Sequence, residues 1–276
     1  MEELCTRRAC SFGLAAREYA LHRPGYPKRA VLWSLQPLRS TPTGAAGGGS
    51  VRTGAPLVRC RVLDLAAGTG KLTEALLRCG VPASAVLAVE PDAAMRAELC
   101  RQLPQVSAVA GTAERIPAGT GTLDAVLVGQ AFHWFEPDRA LAEIARVLRP
   151  GGVLALLGSV EDDSVRWVAE LIVASQARQA AGNAGRGFAE LPVHPAFAAP
   201  VRRRFRWRWP RTIDSLLQTV GTYSWALISE PHQRDIALAE IRDYLQRHPV
   251  SRGGAFELPM QTLVVRTVRT VHTSTR

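Results

Sequence analysis

Apolar residues along this chain fall into two rhythms. From Cys60 to Gly158, short and nearly continuous apolar runs alternate with stretches whose apolar positions recur every three or four residues. "CRVLDLA", "AVLAVE", "VSAVAG", "LDAVLVGQ" and "GVLALLGS" predict five buried strands. "KLTEALLRCG", "PDAAMRAELCRQL" and "PDRALAEIARVLRPGG" predict the helices between them. The first closes at Gly80, and the second takes Pro91 in or beside its first turn. In the third, Leu141, Ile144, Ala145 and Leu148 form one stripe ahead of a Pro-Gly-Gly stop. Strands that are apolar on both faces and alternate with helices predict a parallel sheet covered on both sides. The fold class is therefore α/β, doubly wound.

The flanks read differently. "SFGLAAREYALHRPGYPKRAVLWSL" predicts two short helices around a Pro-Gly-Tyr-Pro turn. Residues 37–59 have no apolar periodicity, are dense in Gly, Ser, Thr and Pro, and are expected to be a flexible insert. After Glu161 a helix near "SVRWVAELIVASQARQ" leads into a Gly/Ala/Pro loop. "VRRRFRWRWP" then alternates Phe205, Trp207 and Trp209 with Arg204, Arg206 and Arg208. Period two makes this a strand with one aromatic and one cationic face. An edge strand snorkelling its arginines is the favoured reading over a nucleic-acid platform, because a single strand is a poor platform. Two more helical segments follow, the second with Leu238, Ile241 and Leu245 on one stripe. "FELPMQTLVVRTVRTV" closes as a strand able to lie beside the arginine strand. The organisation expected is a single domain: an N-terminal helical cap over 1–36, the insert over 37–59, a core over 60–160, and C-terminal helices and strands over 161–276.

Composition changes this picture little. The formal charge is +10, yet every cation except Lys28 and Lys71 is arginine. With so much Ala, Gly and Pro alongside, basicity alone is a weak pointer to nucleic acid. The five cysteines form no Cys-x-x-Cys pair and have no histidine at ligand spacing, so no metal site is expected. No apolar stretch reaches the roughly 20 residues that span a bilayer. The N-terminus lacks the apolar centre and cleavage site of a secretory signal, so a cytoplasmic location is expected.

The chemistry begins at "RVLDLAAGTGKLTEAL", a strand, a glycine turn and a helix. A phosphate-binding P-loop would need Gly where Leu65 stands and Ser or Thr where Leu72 stands. A dinucleotide fingerprint would need a third glycine where Thr73 stands. Both readings fail. What survives is Asp64 ending a strand, a tight turn through Gly68 and Gly70, and Glu90 ending the next strand. The bare turn lets a ligand lie against backbone, and a strand-end carboxylate can accept two ribose hydroxyls. A nucleoside without phosphates fits, and a cationic one suits Asp64.

These residues resemble a class I S-adenosylmethionine-dependent methyltransferase core with the Rossmann-like, seven-stranded, mostly parallel sheet of that family. "VLDLAAGTG" resembles its first motif, "VLAVEP" its ribose motif, and "GTAERIP" its adenine-side motif. "LDAVLVGQAFHWF" and "IARVLRPGGVLAL" resemble the elements that follow. "EYALHRPGYP" with "QAFHWF" is similar to the small-molecule branch containing trans-aconitate methyltransferase-like enzymes. The resemblance implies S-adenosylmethionine as cofactor, with Asp64, Ala66, Gly68 and Gly70 along its methionine and ribose side. It implies Glu90 on the ribose, Thr112 and Ala113 at the adenine, and Gln130 with Ala131 facing the methionine moiety. Ala66 departs from the family, which most often has Gly there; its methyl is expected to be tolerated with φ negative.

The implied acceptor is a small molecule, with a carboxylate as the leading candidate. A carboxylate needs no base, whereas a hydroxyl or amine can require one. His133 is the candidate base, with pocket-shaping as its alternative role. Tyr19, Arg23, Tyr26 and Trp134 are candidate acceptor residues, and Arg23 could pair with an acid. Two alternatives stay open. An RNA methyltransferase would suit the charge, but the Asn/Asp-Pro-Pro-Tyr/Phe motif is replaced by "GQAFHW" and no Pro-Cys follows the fourth strand. A non-catalytic methyltransferase-like binding protein would explain Ala66 and the insert.

Overall fold

A computed structural model describes residues 15–39, 57–176 and 191–270. Most of the insert (40–56) and most of the Gly/Ala loop (177–190) lie outside the described residues. Helices α1 (Ala16–His22) and α2 (Lys28–Ser34) flank the Pro-Gly-Tyr-Pro turn, and a short α3 (Gln36–Arg39) follows. The core runs β1 (Val62–Leu65), α4 (Lys71–Arg78), β2 (Val86–Val89), α5 (Ala93–Gln102), β3 (Ser107–Val109), β4 (Leu123–Gly129), α6 (Pro137–Val147) and β5 (Leu148–Glu161). The C-terminal part adds α7 (Arg166–Gln176), β6 (Val201–Thr212), α8 (Ile213–Gly221), α9 (Ser224–Ile228), α10 (Pro231–Arg247) and β7 (Ala255–Val268).

The strands form one seven-stranded sheet in the order β3-β2-β1-β4-β5-β7-β6. The first five are parallel; β7 runs antiparallel to both β5 and β6. Strand order reverses between β1 and β4, which places a crevice at their carboxyl ends, where doubly wound sheets bind ligands.

Period-two alternation sorts the core. Val62, Ala88, Ala125, Leu127 and Val153 meet Val31, Leu35, Leu72, Leu76 and Leu99 on the face covered by α2, α4 and α5. Leu63, Leu65, Val126, Val128 and Leu154 meet Leu141 and Ile144 of α6 on the other. A third cluster joins α7, α8 and α10 to Phe256, Leu258 and Met260 of β7.

Several boundaries move. Asp92 caps α5 ahead of Ala93, its carboxylate accepting the Met95 N–H at 2.8 Å, and Pro91 stands beside that first turn, just outside the cap. α6 stops at Val147, because Arg149 precedes a proline and is disfavoured in the helical region. β3 is an edge strand, so "VSAVAG" is only half-covered rather than buried. The ends of the predicted insert belong to the folded body: Leu38 and Leu57 are both buried.

β6 occupies the other edge. Arg204, Arg206 and Arg208 are exposed, while Phe205 is buried and Trp207 and Trp209 are half-buried. Phe205 meets the Trp33 ring edge-on at 6.0 Å, and the Trp207 indole donates to Thr262 at 3.0 Å. This is the aromatic-inside, arginine-outside strand its alternation predicts. Arg206 also pairs with Asp162 at 2.9 Å. Because Phe205 is the aromatic that joins this edge to the main core, Phe205→Ala should cost about 3 kcal/mol. Chemical denaturation reads this as a lowered midpoint; a loss under about 1 kcal/mol would mean that β6 is not held by that ring.

Candidate active site

The turn between β1 and α4 is built from left-handed backbone. Ala66, Gly68 and Gly70 have φ of 56°, 57° and 88°. Nothing lies within 4 Å of where a Gly68 side chain would stand, so that stretch of backbone faces open space. Gly70 is fixed twice over, since a Cβ there would meet Leu99 at 3.0 Å and Leu103 at 3.1 Å. The expectation that Ala66 keeps a negative φ is wrong. The turn that carries Ala67 N–H onto the Val89 carbonyl at 3.0 Å swings Ala66 into the left-handed region.

Two buried carboxylates hold this turn. Glu90 is 7% exposed; its Oε2 accepts the Gly68 N–H at 2.8 Å and its Oε1 accepts the Asp92 N–H at 2.9 Å. Burial raises its pKa, opposed by these two donors. Glu90 thus ties the first turn to the end of β2, and each oxygen keeps a further lone pair. Asp64 is fully buried, and its Oδ2 accepts the Thr73 hydroxyl at 2.6 Å. Its Oδ1 has no partner. Burial outweighs the Thr73 bonds and pushes the Asp64 pKa up to about 7.

The N-terminal turn reaches this place. The Tyr26 hydroxyl lies 2.6 Å from where a Gly129 Cβ would stand, so the last residue of β4 must be glycine. Burial, Tyr19 and Asp64 together push the Tyr26 phenol well above its ordinary pKa. Arg23 lies between rings, 4.9 Å from Tyr19 and 4.5 Å from Tyr223, and donates to the Thr222 carbonyl at 2.9 Å. Tyr19, Arg23, Tyr26 and Asp64 are therefore brought together.

Other predicted residues fare variously. Gln130 sits at a positive φ of 54°, its backbone N–H on the Leu157 carbonyl and its amide on the Ser159 carbonyl at 2.6 Å. That side chain is committed to β5. Thr112 is exposed and Ala113 buried, on the loop after β3. His133 is exposed on a one-turn helix, Phe132–Trp134, that leaves β4; its ring lies 4.3 Å from that of Trp134. Desolvation of its imidazole lowers the pKa, which keeps it neutral and able to accept a proton. Trp134 packs against the α6-side core.

Sequence reasoning missed Thr73, Glu161 and Tyr223. Glu161 ends β5, and its carboxylate accepts the Tyr223 hydroxyl at 2.5 Å. Its place at the end of a strand was the available signal; Tyr223, from a distant helical turn, had none.

A left-handed glycine turn lies beside two buried carboxylates at the switch point of the sheet, an arrangement that suits a nucleoside-type ligand. Residues 63–156 match the family model described as a methyltransferase domain. An uncharacterized methyltransferase of Mycobacterium tuberculosis is 37% identical over 267 residues, covering 95% of this chain and 98% of its own. One of Schizosaccharomyces pombe is 33% identical over 151 residues, covering 55% of this chain and 53% of its own. A solved structure from Anaeromyxobacter dehalogenans, provisionally named a type II methyltransferase, shares the fold. It has a TM-score of 0.62 and 24% identity, and the match covers 90% of this chain and 97% of that one. The chain belongs to the class I S-adenosylmethionine-dependent methyltransferases, and S-adenosylmethionine is its cofactor. The turn suits that ligand: open space over Gly68, and an unpartnered Asp64 oxygen for a cationic or donor group.

A left-handed alanine costs about 1 kcal/mol relative to glycine, offset in part by glycine's larger unfolded-state entropy. Ala66→Gly should therefore raise stability by roughly 0.5 kcal/mol and leave cofactor affinity equal or better. Thermal denaturation with and without cofactor measures both; a destabilised variant would show that the Ala66 methyl packs productively.

Proposed function

We propose that this methyltransferase acts on a small-molecule acceptor, with a carboxylate as the favoured class, in a site capped by α1, α2 and the turn between them. The observation that carries this reading is Tyr26, whose hydroxyl packs on Gly129 and feels the Asp64 charge. A segment laid this closely over the crevice leaves room for a small acceptor and little for a nucleic-acid strand. The reading treats the chain as a single domain whose core, 60–160, holds the cofactor.

When bound, the cofactor supplies a methyl group on a sulfonium, transferred by in-line displacement. The protein's work is then alignment and exclusion of water. On this reading Asp64, Ala66, Gly68 and Gly70 line the methionine and ribose side, and the spare lone pairs of Glu90 accept ribose hydroxyls. Thr112 and Ala113 flank the adenine, and Gln130 with Ala131 shapes the wall toward the methionine. Arg23, held between Tyr19 and Tyr223, meets an acidic acceptor. His133, neutral at physiological pH, is available as a base only if the acceptor is a hydroxyl or amine. Trp134 supports that loop from the core side. A screen with methyl-labelled cofactor against small acids, amines, phenols and RNA tests the proposal. Transfer to small carboxylates supports it, and transfer to RNA alone overturns it.

Loss of a charge-assisted hydrogen bond costs about 1.5–3 kcal/mol. Glu90→Ala should accordingly weaken S-adenosylmethionine binding by roughly ten- to a hundredfold. Unchanged affinity in a variant shown to be folded would remove Glu90 from the cofactor site.

Asp64 makes binding depend on pH. The folded protein holds this proton more tightly than the unfolded chain, so the group's stabilising contribution is complete at low pH. That contribution is lost as pH rises to about 7. A cationic ligand needs the ionised form, so cofactor affinity should rise by about tenfold between pH 6 and 8. Asp64→Asn should flatten that rise in calorimetric titrations; a wild-type slope retained by the variant would assign it to another group.

A further inference from the structure

Six side-chain atoms are buried without a hydrogen-bond partner among the described residues, and three of them are nitrogen donors: Arg23 Nε, Arg211 Nε and Trp225 Nε1. All three belong to the surroundings of Tyr223. Arg23 stacks on its ring at 4.5 Å, Arg211 acts on its phenol electrostatically, and Trp225 follows two residues later. Buried orphan donors are rare, because each forfeits its hydration without replacement. Three such N–H groups near Tyr223, two of them on guanidinium groups, can donate to an acceptor that the described residues do not supply.

Among the described residues neither Arg23 nor Arg211 has a carboxylate in ion-pair contact; Arg23 is satisfied only through the Thr222 carbonyl. The carboxylate in the cluster is Glu161, which is engaged by the Tyr223 hydroxyl. Arg211 lies 3.4 Å above the Trp209 ring, which fixes its plane, and Arg23 is fixed between Tyr19 and Tyr223. Planar, pre-oriented donors with no anion of their own match the two oxygens of a carboxylate. The cluster lies within electrostatic reach of the cofactor turn: Arg211 acts on Lys71, the residue after Gly70, and Arg23 acts on Tyr26.

We infer that Arg23, Arg211 and Trp225 form an anion-recognition site around Tyr223 that takes a carboxylate group of the methyl acceptor. This deepens the proposed function and rests on it. It assigns recognition to the far end of β6 and to α9, neither of which belongs to the cofactor core.

The test uses the full chain saturated with S-adenosylhomocysteine, titrated calorimetrically with small mono-, di- and tricarboxylates and with their neutral amides. A carboxylate should bind where its amide does not. Arg211→Gln should weaken that binding by roughly tenfold, and Trp225→Phe, which keeps the ring and removes the N–H, by about threefold. S-adenosylhomocysteine affinity should stay within about twofold in both variants, which separates this site from the cofactor turn. Equal binding of acid and amide, absence of any carboxylate binding, or indifference to both substitutions overturns the inference. If the acceptor screen shows transfer to RNA alone, the proposed function fails instead, and the carboxylate titrations still read this site.

Discussion

The site depends on one carboxylate closing on two backbone N–H groups. Glu90 reaches from the end of β2 to Gly68 in the neighbouring turn and to Asp92 at the head of α5. Burying a charged carboxylate is costly, and only donors fixed in place make it tolerable. The Gly68 donor is set by the turn's left-handed conformations at Ala66, Gly68 and Gly70, and the Asp92 donor by the head of α5. Remove the acid and the turn loses its anchor; straighten the turn and the acid loses the Gly68 donor. The glycines and the acid are one unit, although 22 residues separate Gly68 from Glu90 in sequence.

Asp64 shows the opposite economy. It lies within β1, one residue before its end, in full burial, with one oxygen satisfied by Thr73 and the other without a partner among the described residues. A stable core would normally remove such a group. Its place at the switch point, with a pKa pushed up to about 7, suits the proposed role of meeting a ligand rather than the protein. Stability of the free protein and affinity for a cation therefore pull in opposite directions at this residue.

Local rules made the cofactor side legible. The period-two runs, the Gly-x-Gly turn and the strand-end acid each follow from residues adjacent in sequence, and Leu141, Ile144 and Ala145 are buried as their helical spacing requires, whereas Leu148 is buried as the first residue of β5. Three features escaped. The sign of φ at Ala66 depends on how the turn hydrogen-bonds to Val89, which no local propensity reports. The commitment of Gln130 to Ser159 depends on β5 lying beside β4. The tyrosine-arginine cluster joins residues about 200 positions apart, through contacts such as Arg23 with Thr222 and Thr219 with the His22 carbonyl. Residues 40–56 and 177–190 fall outside the described structure, so the flexibility expected of the insert stays a sequence expectation.

That long-range closure separates two kinds of specificity. Residues that meet the proposed cofactor lie in one continuous stretch, from Asp64 to Gln130, where turn geometry and strand order fix them. Residues that meet the proposed acceptor come from both flanks, Tyr19 to Tyr26 before the core and Arg211 to Trp225 after it. Their positions are set by packing of α1 against α8 rather than by the parallel sheet. Substitutions there can alter the acceptor site without disturbing Glu90 or the glycine turn, because β7, β5 and β4 stand between β6 and β1. The same separation explains why a +10 chain need not bind nucleic acid. Arg204 and Arg208 are exposed on an edge strand, Arg206 beside them pairs with Asp162, and Arg23 and Arg211 are stacked on aromatic rings beside the site. Charge buried beside a ligand selects that ligand, whereas charge spread along an edge is screened within about 8–10 Å.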